Sequence, residues 1–389
     1  MAGGMAAVMG WLTMSLISYV TRIHFAEHVL EDAFEAELES LAMRRPLIIS
    51  DDSPQRRIVV DRLLAAVPRW MSPLLFEMNS RTATETSTDE AARIFIEQEA
   101  DGLVGFGGAA ALNLAKAVGL RVSHDGPLHQ YSGEGGRARI RDTVPRVIAI
   151  PTTSGSCAEA IGTSVLAMSD GTSATFVSAC LTPRVVICDP TLTLDMPARE
   201  TAGAGMDALT HCLETYIATA YNPPADGIAR DGLRRAIQNI ERVVSDGHDI
   251  EARREMMAAA LNGALANQKG LGAVHAMSHA LAAAIGHELD HGALNAVLLP
   301  HALAFNAPAV TQRYREIRRE FGLRPNADLG EAVIRLRERL GLPSTLGEMG
   351  IDGEAIARAA PVAELDYSNR TNPRRANSDD YWAMMQTAM

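Results

Sequence analysis

Lysine is nearly absent from this sequence. Only two of the 36 basic side chains are lysines, Lys116 and Lys269, and the rest are arginines. A Schiff base needs a lysine amine, so few positions could support that kind of covalent catalysis. Acidic side chains outnumber basic ones by 47 to 36, which gives a net charge of −11. Because such a surface repels a phosphate backbone, we expect no nucleic-acid partner.

Cysteine is also scarce, and its spacing argues against cysteine-based sites. The chain has four cysteines and no CxxC pair among them: Cys157, Cys180, Cys188 and Cys212. A disulfide framework or a thiolate metal site is therefore not expected. Reduced, mostly buried thiols are typical of a cytoplasmic protein, and this is the location that we predict.

Charge is missing from the start of the chain, where MAGGMAAVMGWLTMSLISYVT precedes Arg22. The segment lacks the basic residues that begin a signal peptide, and glycines and hydroxyl side chains dilute its apolar character. We interpret residues 1–22 as an N-terminal extension, with a membrane anchor as the lesser alternative. No membrane partner is expected.

A chain of 389 residues is long enough for two domains. Between Arg45 and Asp189, helical stretches alternate with short apolar runs, namely PLIISDD, GLVGFGG, VIAIPTT and RVVICDP. This alternation predicts a Rossmann-like, parallel α/β domain at residues 23–197. Residues 198–389 show helical periodicity without strand patterns, which predicts a helical domain. The expected fold is α/β plus all-α, with a ligand site in the cleft between the domains.

Histidine is concentrated in HAMSHALAAAIGHELDHG, which holds four of the chain's 11 histidines. His275 and His279 stand one helical turn apart, so they share one face of a predicted helix. Asp207 and His211 have the same spacing in GMDALTHCLETYI. Asp and His donors suit Fe²⁺, Zn²⁺ or Mn²⁺. A metal site is therefore one interpretation, and ordinary hydrogen-bonded histidines are the alternative that the spacing leaves open.

The end of the histidine-rich stretch is predicted to be a loop. Gly286 has the position of a residue that stops the preceding helix. His287 and His291 follow it and are therefore assigned to the loop.

One glycine-rich stretch predicts a phosphate-binding turn. LVGFGGAAALNLAKAVGL has the pattern of a strand, a turn at Gly107 and Gly108, and a helix from about Ala110. Glycines permit close approach of the backbone to a phosphate, and the N–H groups at the start of the helix, including that of Ala109, favour its charge. A glycine turn without a ligand is the alternative.

A second loop and an acidic residue extend this prediction. IPTTSGSCAE ends another strand with hydroxyl side chains at Thr152, Thr153 and Ser156. Two such loops in one α/β domain favour a dinucleotide. Asp51 ends the strand in PLIISDD, where a carboxylate would bind a ribose 2′-hydroxyl and repel a 2′-phosphate, so NAD(H) is the expected cofactor. A simple turn aspartate is the alternative for Asp51.

Several of these stretches resemble the iron-containing, or group III, alcohol dehydrogenases, which include maleylacetate reductase and lactaldehyde reductase. The matching blocks are DPTLTLDMPARETAGAGMDALTHCLETY, GAVHAMSHAL, HGALNAVLLPHALAFN and FGGAAALNLAK, and the resemblance runs from about Ile23 to the end. It implies hydride transfer between NAD(H) and a metal-bound small alcohol or carbonyl compound in the cleft. It also implies a homo-oligomer, with a dimer expected.

The resemblance assigns roles to particular residues. It implies that the helical domain binds the metal, Fe²⁺ above Zn²⁺ or Mn²⁺, through four ligands: Asp207, His211, His275 and His291. His279 falls where the family has a histidine near the nicotinamide, and we predict a catalytic role in proton transfer for it. His287 corresponds to no ligand.

The chain departs from the family in both cofactor loops. Where the family has Gly-Gly-Gly-Ser-x-x-Asp, this chain has Ala109, Ala110 and Asn113 after its two glycines, and Cys157 and Ala158 replace residues of the second loop. We therefore expect weak dinucleotide binding. The alternatives to an alcohol dehydrogenase are an enoate reductase like maleylacetate reductase, a non-catalytic relative with degraded cofactor loops, and a metal-dependent hydrolase.

Overall fold

The computed structural model of the chain describes residues 17–51, 57–80, 82–285 and 289–389. Most of the predicted N-terminal extension lies outside these ranges, as do Gly286 and His287. No helix in the described ranges is both long and apolar enough to span a membrane.

The strands of the described ranges form a parallel sheet and a separate hairpin. The sheet contains β1 (Arg22–Phe25), β2 (Pro46–Asp51), β3 (Leu74–Met78), β4 (Gly102–Gly107), β5 (Val147–Pro151) and β8 (Val185–Cys188). The hairpin pairs β6 (Thr163–Ala167) with β7 (Ser173–Val177). Strand order in the sheet is β1-β8-β5-β4-β2-β3, and every pairing is parallel. The carboxyl ends of β2, β4 and β5 therefore lie side by side.

The sequence pattern identified the central strands but not the edges of the sheet. The four apolar runs correspond to β2, β4, β5 and β8, as predicted. β1 and β3 lie at the two edges and are only partly buried, so they lack a continuous apolar run. β1 begins at Arg22, which is the last residue of the predicted extension.

Helices cover both faces of the sheet because alternate strand residues point to opposite sides. The helices of this half are α1 (Val29–Ser40), α2 (Arg57–Ala65), α3 (Glu85–Glu97), α4 (Ala109–Ser123) and the short α5 (Gly133–Arg137). Leu47 and Ile49 pack with α3 and α4 in one hydrophobic cluster. Ile48, between them, packs with α1 and α2 in another. This half is the predicted Rossmann-like layer structure.

The chain after β8 is helical through the rest of the described residues. Its helices are α6 (Ala198–Ile217), α7 (Pro223–Ser245), α8 (Ile250–Ala266), α9 (Ala273–Ile285), α10 (His291–Asn306), α11 (Thr311–Glu320), α12 (Leu329–Arg339), α13 (Gly353–Leu365) and α14 (Ser378–Thr387). One large hydrophobic cluster extends from Ala202 to Ala388 and takes no residue from the sheet. We propose the boundary at residues 197 and 198 as the division between two domains, because the large helical cluster lies entirely after it, although a smaller cluster joins Val186 and Cys188 of β8 to Met257 and Leu261 of α8.

Candidate metal centre and cofactor loops

Helix α6 carries the first two candidate ligands into the interior. The helix is buried on almost every side, and Asp207 and His211 are each only 4% exposed. The two residues lie one turn apart, with His211 Nε2 3.7 Å from Asp207 Oδ1. The side-chain amide of Asn295 on α10 donates a hydrogen bond to the same carboxylate oxygen at 2.8 Å. The predicted pair therefore shares one site.

Helix α9 brings His275 against this pair. His275 Nε2 lies 3.2 Å from His211 Nε2 and 3.9 Å from Asp207 Oδ1. On the other side of the ring, His275 Nδ1 contacts the carboxylate of Glu214 at 2.6 Å. Glu214 lies in the last turn of α6 and was not among the predicted site residues.

The predicted loop position of His291 is wrong. His291 is the first residue of α10, and the Asp290 side chain caps that helix by accepting a hydrogen bond from the backbone N–H of Ala293. Gly292 packs directly on α6, where a Cβ atom added to it would lie 1.9 Å from the carbonyl oxygen of Gly203. This close contact places His291 Nε2 4.0 Å from Asp207 Oδ1. The four candidate ligands therefore come from three helices.

The chemistry of these donors fits a divalent metal. Ligand atoms of Asp207, His275 and His291 all lie within 4.8 Å of one another, and His211 contacts two of these residues. Donor atoms bound to one ion at about 2.1 Å are roughly 3.0–3.4 Å apart, so small movements would complete the site. Burial and the charge of neighbouring imidazoles hold the pKa of His211 well below its usual value, and the same causes act on the pKa of His275. Neutral imidazoles have the lone pairs that a metal requires.

His279 lies beside these donors and has a partner of its own. Its Nδ1 atom is 3.1 Å from the carboxylate of Asp366, and its ring stacks on those of Tyr367 and His291 with centroids 5.9 Å apart. Burial disfavours the imidazolium, but the Asp366 carboxylate outweighs this effect and raises the pKa of His279. The structure therefore places His279 next to the candidate ligands, in a His–Asp pair that the sequence did not reveal.

The two predicted cofactor loops meet at the carboxyl edge of the sheet. The backbone N–H of Thr152 donates to the carbonyl oxygen of Gly107 at 3.0 Å. The hydroxyls of Thr152 and Ser154 are buried and have no hydrogen-bond partner in the described part of the chain. Thr153 and Ser156 are half-buried. Buried hydroxyls without partners are uncommon, so this edge has polar groups available for a ligand.

The second loop also contacts α6, the helix that carries Asp207 and His211. A Cβ atom added to Gly155 would lie 2.7 Å from the backbone of Ala204, one turn before Asp207 on α6. Glycine permits this approach because it has no side chain. The second predicted cofactor loop therefore packs on α6 about one turn from Asp207.

Asp51 binds the glycine turn. Its carboxylate accepts a hydrogen bond from the backbone N–H of Gly108 at 2.9 Å. Gly107 has a φ of +150°, and a Cβ atom there would lie 2.5 Å from the Asp51 carboxylate. The Gly108 N–H is thus already engaged, whereas Ala109 begins α4 and its N–H has no acceptor within the helix. The structure brings Asp51, both glycines and Ala109 together at one edge.

Lys116 on α4 stabilises the second loop through hydrogen bonds to its backbone, a role that the sequence around it did not indicate. The side chain is completely buried, and Nζ donates hydrogen bonds to the carbonyl oxygens of Ala158, at 2.9 Å, and Thr163. Burial lowers the pKa of Lys116 to about 7. Cys157 lies in the same loop with a φ of +57°, a left-handed conformation that glycine adopts more easily.

Comparison with known proteins identifies the family. The family model "Iron-containing alcohol dehydrogenase" matches residues 20–190, and the model of the C-terminal part of the Fe-containing alcohol dehydrogenase family matches residues 201–389. The chain is 40% identical to 4-hydroxybutyrate dehydrogenase from Cupriavidus necator over 97% of its own length and 100% of that protein. It is 32% identical to NAD-dependent methanol dehydrogenase from Bacillus methanolicus, covering 78% of this chain and 81% of the relative.

The fold comparison agrees. A crystal structure of 1,3-propanediol oxidoreductase superposes with a TM-score of 0.88 at 28% identity, covering 96% of this chain and 100% of that one. The chain belongs to the iron-containing alcohol dehydrogenase family, and it is an oxidoreductase that acts on CH–OH donors. The family uses NAD(H) and a divalent metal, typically Fe²⁺, so the predicted class, fold and cofactors are confirmed. The relatives favour alcohol oxidation over enoate reduction.

Proposed function

We propose that Asp207, His211, His275 and His291 hold the divalent metal of an NAD-linked alcohol dehydrogenase. The observation that carries this proposal is the convergence of buried donor atoms from α6, α9 and α10 within a few ångströms. An ion there would polarise the substrate oxygen while NAD⁺ accepts the hydride. One carboxylate and three imidazoles leave coordination positions open for that oxygen.

The residues around the site would then move the alcohol proton. Because Asp366 contacts Nδ1 of His279, the Nε2 atom of the same ring is left to accept the proton. The side chain of His279 is 19% exposed, which gives a route for the proton to solvent. Asn295 would hold the Asp207 carboxylate in place through its hydrogen bond. His279 therefore acts as a general base in alcohol oxidation and a general acid in carbonyl reduction.

The proposed substrate class is a small alcohol with a terminal carboxylate, such as 4-hydroxybutyrate. Its support is the identity of 40% to a 4-hydroxybutyrate dehydrogenase along almost the whole chain. The test is NADH formation by Fe²⁺-loaded protein with 4-hydroxybutyrate and with 1-butanol, which has no carboxylate. We expect kcat/KM to be at least about tenfold higher for 4-hydroxybutyrate, since one paired charge contributes roughly 1.4 kcal/mol or more. Equal values, or no oxidation of 4-hydroxybutyrate, would reject the substrate class.

Asp51 is the proposed determinant of cofactor choice. The wild-type protein should use NAD⁺ more efficiently than NADP⁺, because in the proposed binding mode the carboxylate would repel a 2′-phosphate by like charge. Asp51→Asn keeps an oxygen that can accept from the Gly108 N–H but removes the charge. This variant should lower the ratio of kcat/KM with NAD⁺ to kcat/KM with NADP⁺ about tenfold, which corresponds to roughly 1.4 kcal/mol. Equal use of both cofactors by the wild type would contradict this role.

The proposed role of His279 predicts a pH dependence. Alcohol oxidation by the wild type should decline as the pH falls through the raised pKa of His279, because an imidazolium cannot accept a proton. Asp366→Asn removes the carboxylate that raises this pKa, so the decline should move to lower pH. His279→Ala should keep the metal, lose the rate by about 10²-fold and lack this limb of the profile.

The control for His279 is Tyr367→Phe, which keeps the stacked ring but removes the phenol hydroxyl. It should leave the pH profile of kcat/KM unchanged. If His279→Ala lost the metal, His279 would be a ligand, and an unchanged rate with metal retained would leave it without a catalytic role.

A cytoplasmic location and a homodimer complete the proposal. All four cysteines are free, which fits a reducing compartment. Sedimentation equilibrium of the purified protein tests the dimer, and a single species at the monomer mass would reject it.

A further inference from the structure

We propose that Glu214 is the positioning residue of the metal centre, which sets both the orientation and the tautomer of His275. Its carboxylate is almost completely buried and lies between helix α6 and the start of α9. The inference rests on the proposed ligand role of His275 and concerns what makes that ligand competent.

The hydrogen-bond contacts of Glu214 are all with nitrogen atoms of one segment. Its carboxylate accepts hydrogen bonds from the backbone N–H groups of Gly272 at 3.2 Å, Val274 at 2.7 Å and His275 at 3.3 Å. The fourth contact is with His275 Nδ1 at 2.6 Å. An ionised carboxylate accepts hydrogen bonds and donates none, so we infer that the proton of the His275 ring lies on Nδ1.

This tautomer decides which ring nitrogen can bind a metal. With the proton on Nδ1, the lone pair of His275 lies on Nε2, the atom that is 3.2 Å from His211 Nε2 and 3.9 Å from Asp207 Oδ1. A carboxylate behind a metal-bound histidine fixes the ring and strengthens the ligand. Glu214 therefore directs the lone pair of His275 toward the other donors.

The same carboxylate has a second effect, because it caps the start of α9. The amide oxygen of Asn372 shares that task by accepting from the backbone N–H of Ala273 at 3.1 Å, yet no contact joins Asn372 to the His275 ring among the hydrogen bonds of the described residues. Asn372→Ala thus weakens the helix start, and also removes two hydrogen bonds with Asn306, without removing any contact of the imidazole, so it serves as the control for Glu214→Gln.

The experiment measures Zn²⁺ affinity by competition with a chelator in the full-length wild type and both variants, after circular dichroism has shown that each is folded. Glu214→Gln should lower the affinity about 10–100-fold, as loss of such a carboxylate does elsewhere. Asn372→Ala should lower the melting temperature but keep Zn²⁺ affinity within about twofold of wild type. Wild-type affinity in Glu214→Gln, or equal losses in both variants, would overturn the proposal.

A tautomer measurement keeps the proposal testable if Glu214→Gln does not fold. NMR of the Zn²⁺-loaded wild type with ¹⁵N-labelled histidine should show His275 protonated at Nδ1 and bound through Nε2. Binding through Nδ1 would overturn the role of Glu214 even with the metal present. A wild type that binds no Zn²⁺ would instead reject the ligand assignment on which the inference rests.

Discussion

Replacing His275 by alanine should leave the protein without its divalent metal and lower NAD-linked alcohol oxidation by at least about 10³-fold. The reason is that His275 Nε2 lies between the other donors, and the site cannot close around an ion without it. Polarisation of the substrate oxygen contributes several kcal/mol, and each 1.4 kcal/mol is about a factor of ten in rate. Elemental analysis and the rate of NADH formation on the same sample are the measurements.

The control for this prediction is a histidine on a ligand-bearing helix but away from the site. His301 on α10 is half-buried and its Nδ1 contacts the hydroxyl of Thr387 at 3.1 Å. His301→Ala should keep one equivalent of metal and most of the activity. A full equivalent of metal in His275→Ala would show that the ligand assignment is wrong.

Gly292→Ala should have the second-largest effect, although this residue has no side chain in the site. The new Cβ atom would lie 1.9 Å from the backbone oxygen of Gly203, so the start of α10 must move away from α6. His291 would move with it, and a displacement of about 1 Å at a catalytic site can cost about 10²-fold in rate. We expect metal loss and a free energy of unfolding lower by about 3 kcal/mol.

Gly227→Ala is the matched control, because it is also a glycine-to-alanine change within a helix. Nothing lies within 4 Å of a Cβ atom at Gly227 on α7. That variant should be as stable as the wild type or gain up to about 1 kcal/mol, since alanine favours a helix. Chemical denaturation compares the two variants, and a metal-replete, fully active Gly292→Ala would contradict the packing argument.

Local patterns in the sequence were sufficient for the central strands and for the first helical pairs. The apolar runs of β2, β4, β5 and β8 follow from burial on both faces of a parallel sheet, which depends on neighbouring residues only. The pairs on α6 and α9 follow from the helical period, which is also local. The glycine turn before α4 was found in the same way.

His291 shows where a local pattern was present but was read wrongly. The position of Gly286 as the stop of the preceding helix suggested that His291 lies in a loop, whereas Asp290 before it is a strong N-cap and marks the start of α10. A glycine is unusual inside a helix, but Gly292 is required in α10 because any side chain there would overlap the backbone of α6. The reason for a glycine at this position is tertiary packing, and the neighbouring residues in the sequence do not indicate it.

The sequence by itself determined which residues are candidates for the chemistry: the helical period paired Asp207 with His211 and His275 with His279, and the resemblance to the family added His291. Only the tertiary structure decided their partners: Glu214 for His275, Asp366 for His279 and Asn295 for Asp207, at separations of 61, 87 and 88 residues. The physical reason is that periodicity turns a face toward the interior without specifying which helix packs against it. The orientation of each imidazole therefore depends on the packing of α6, α9 and α10 and of the segment after α13.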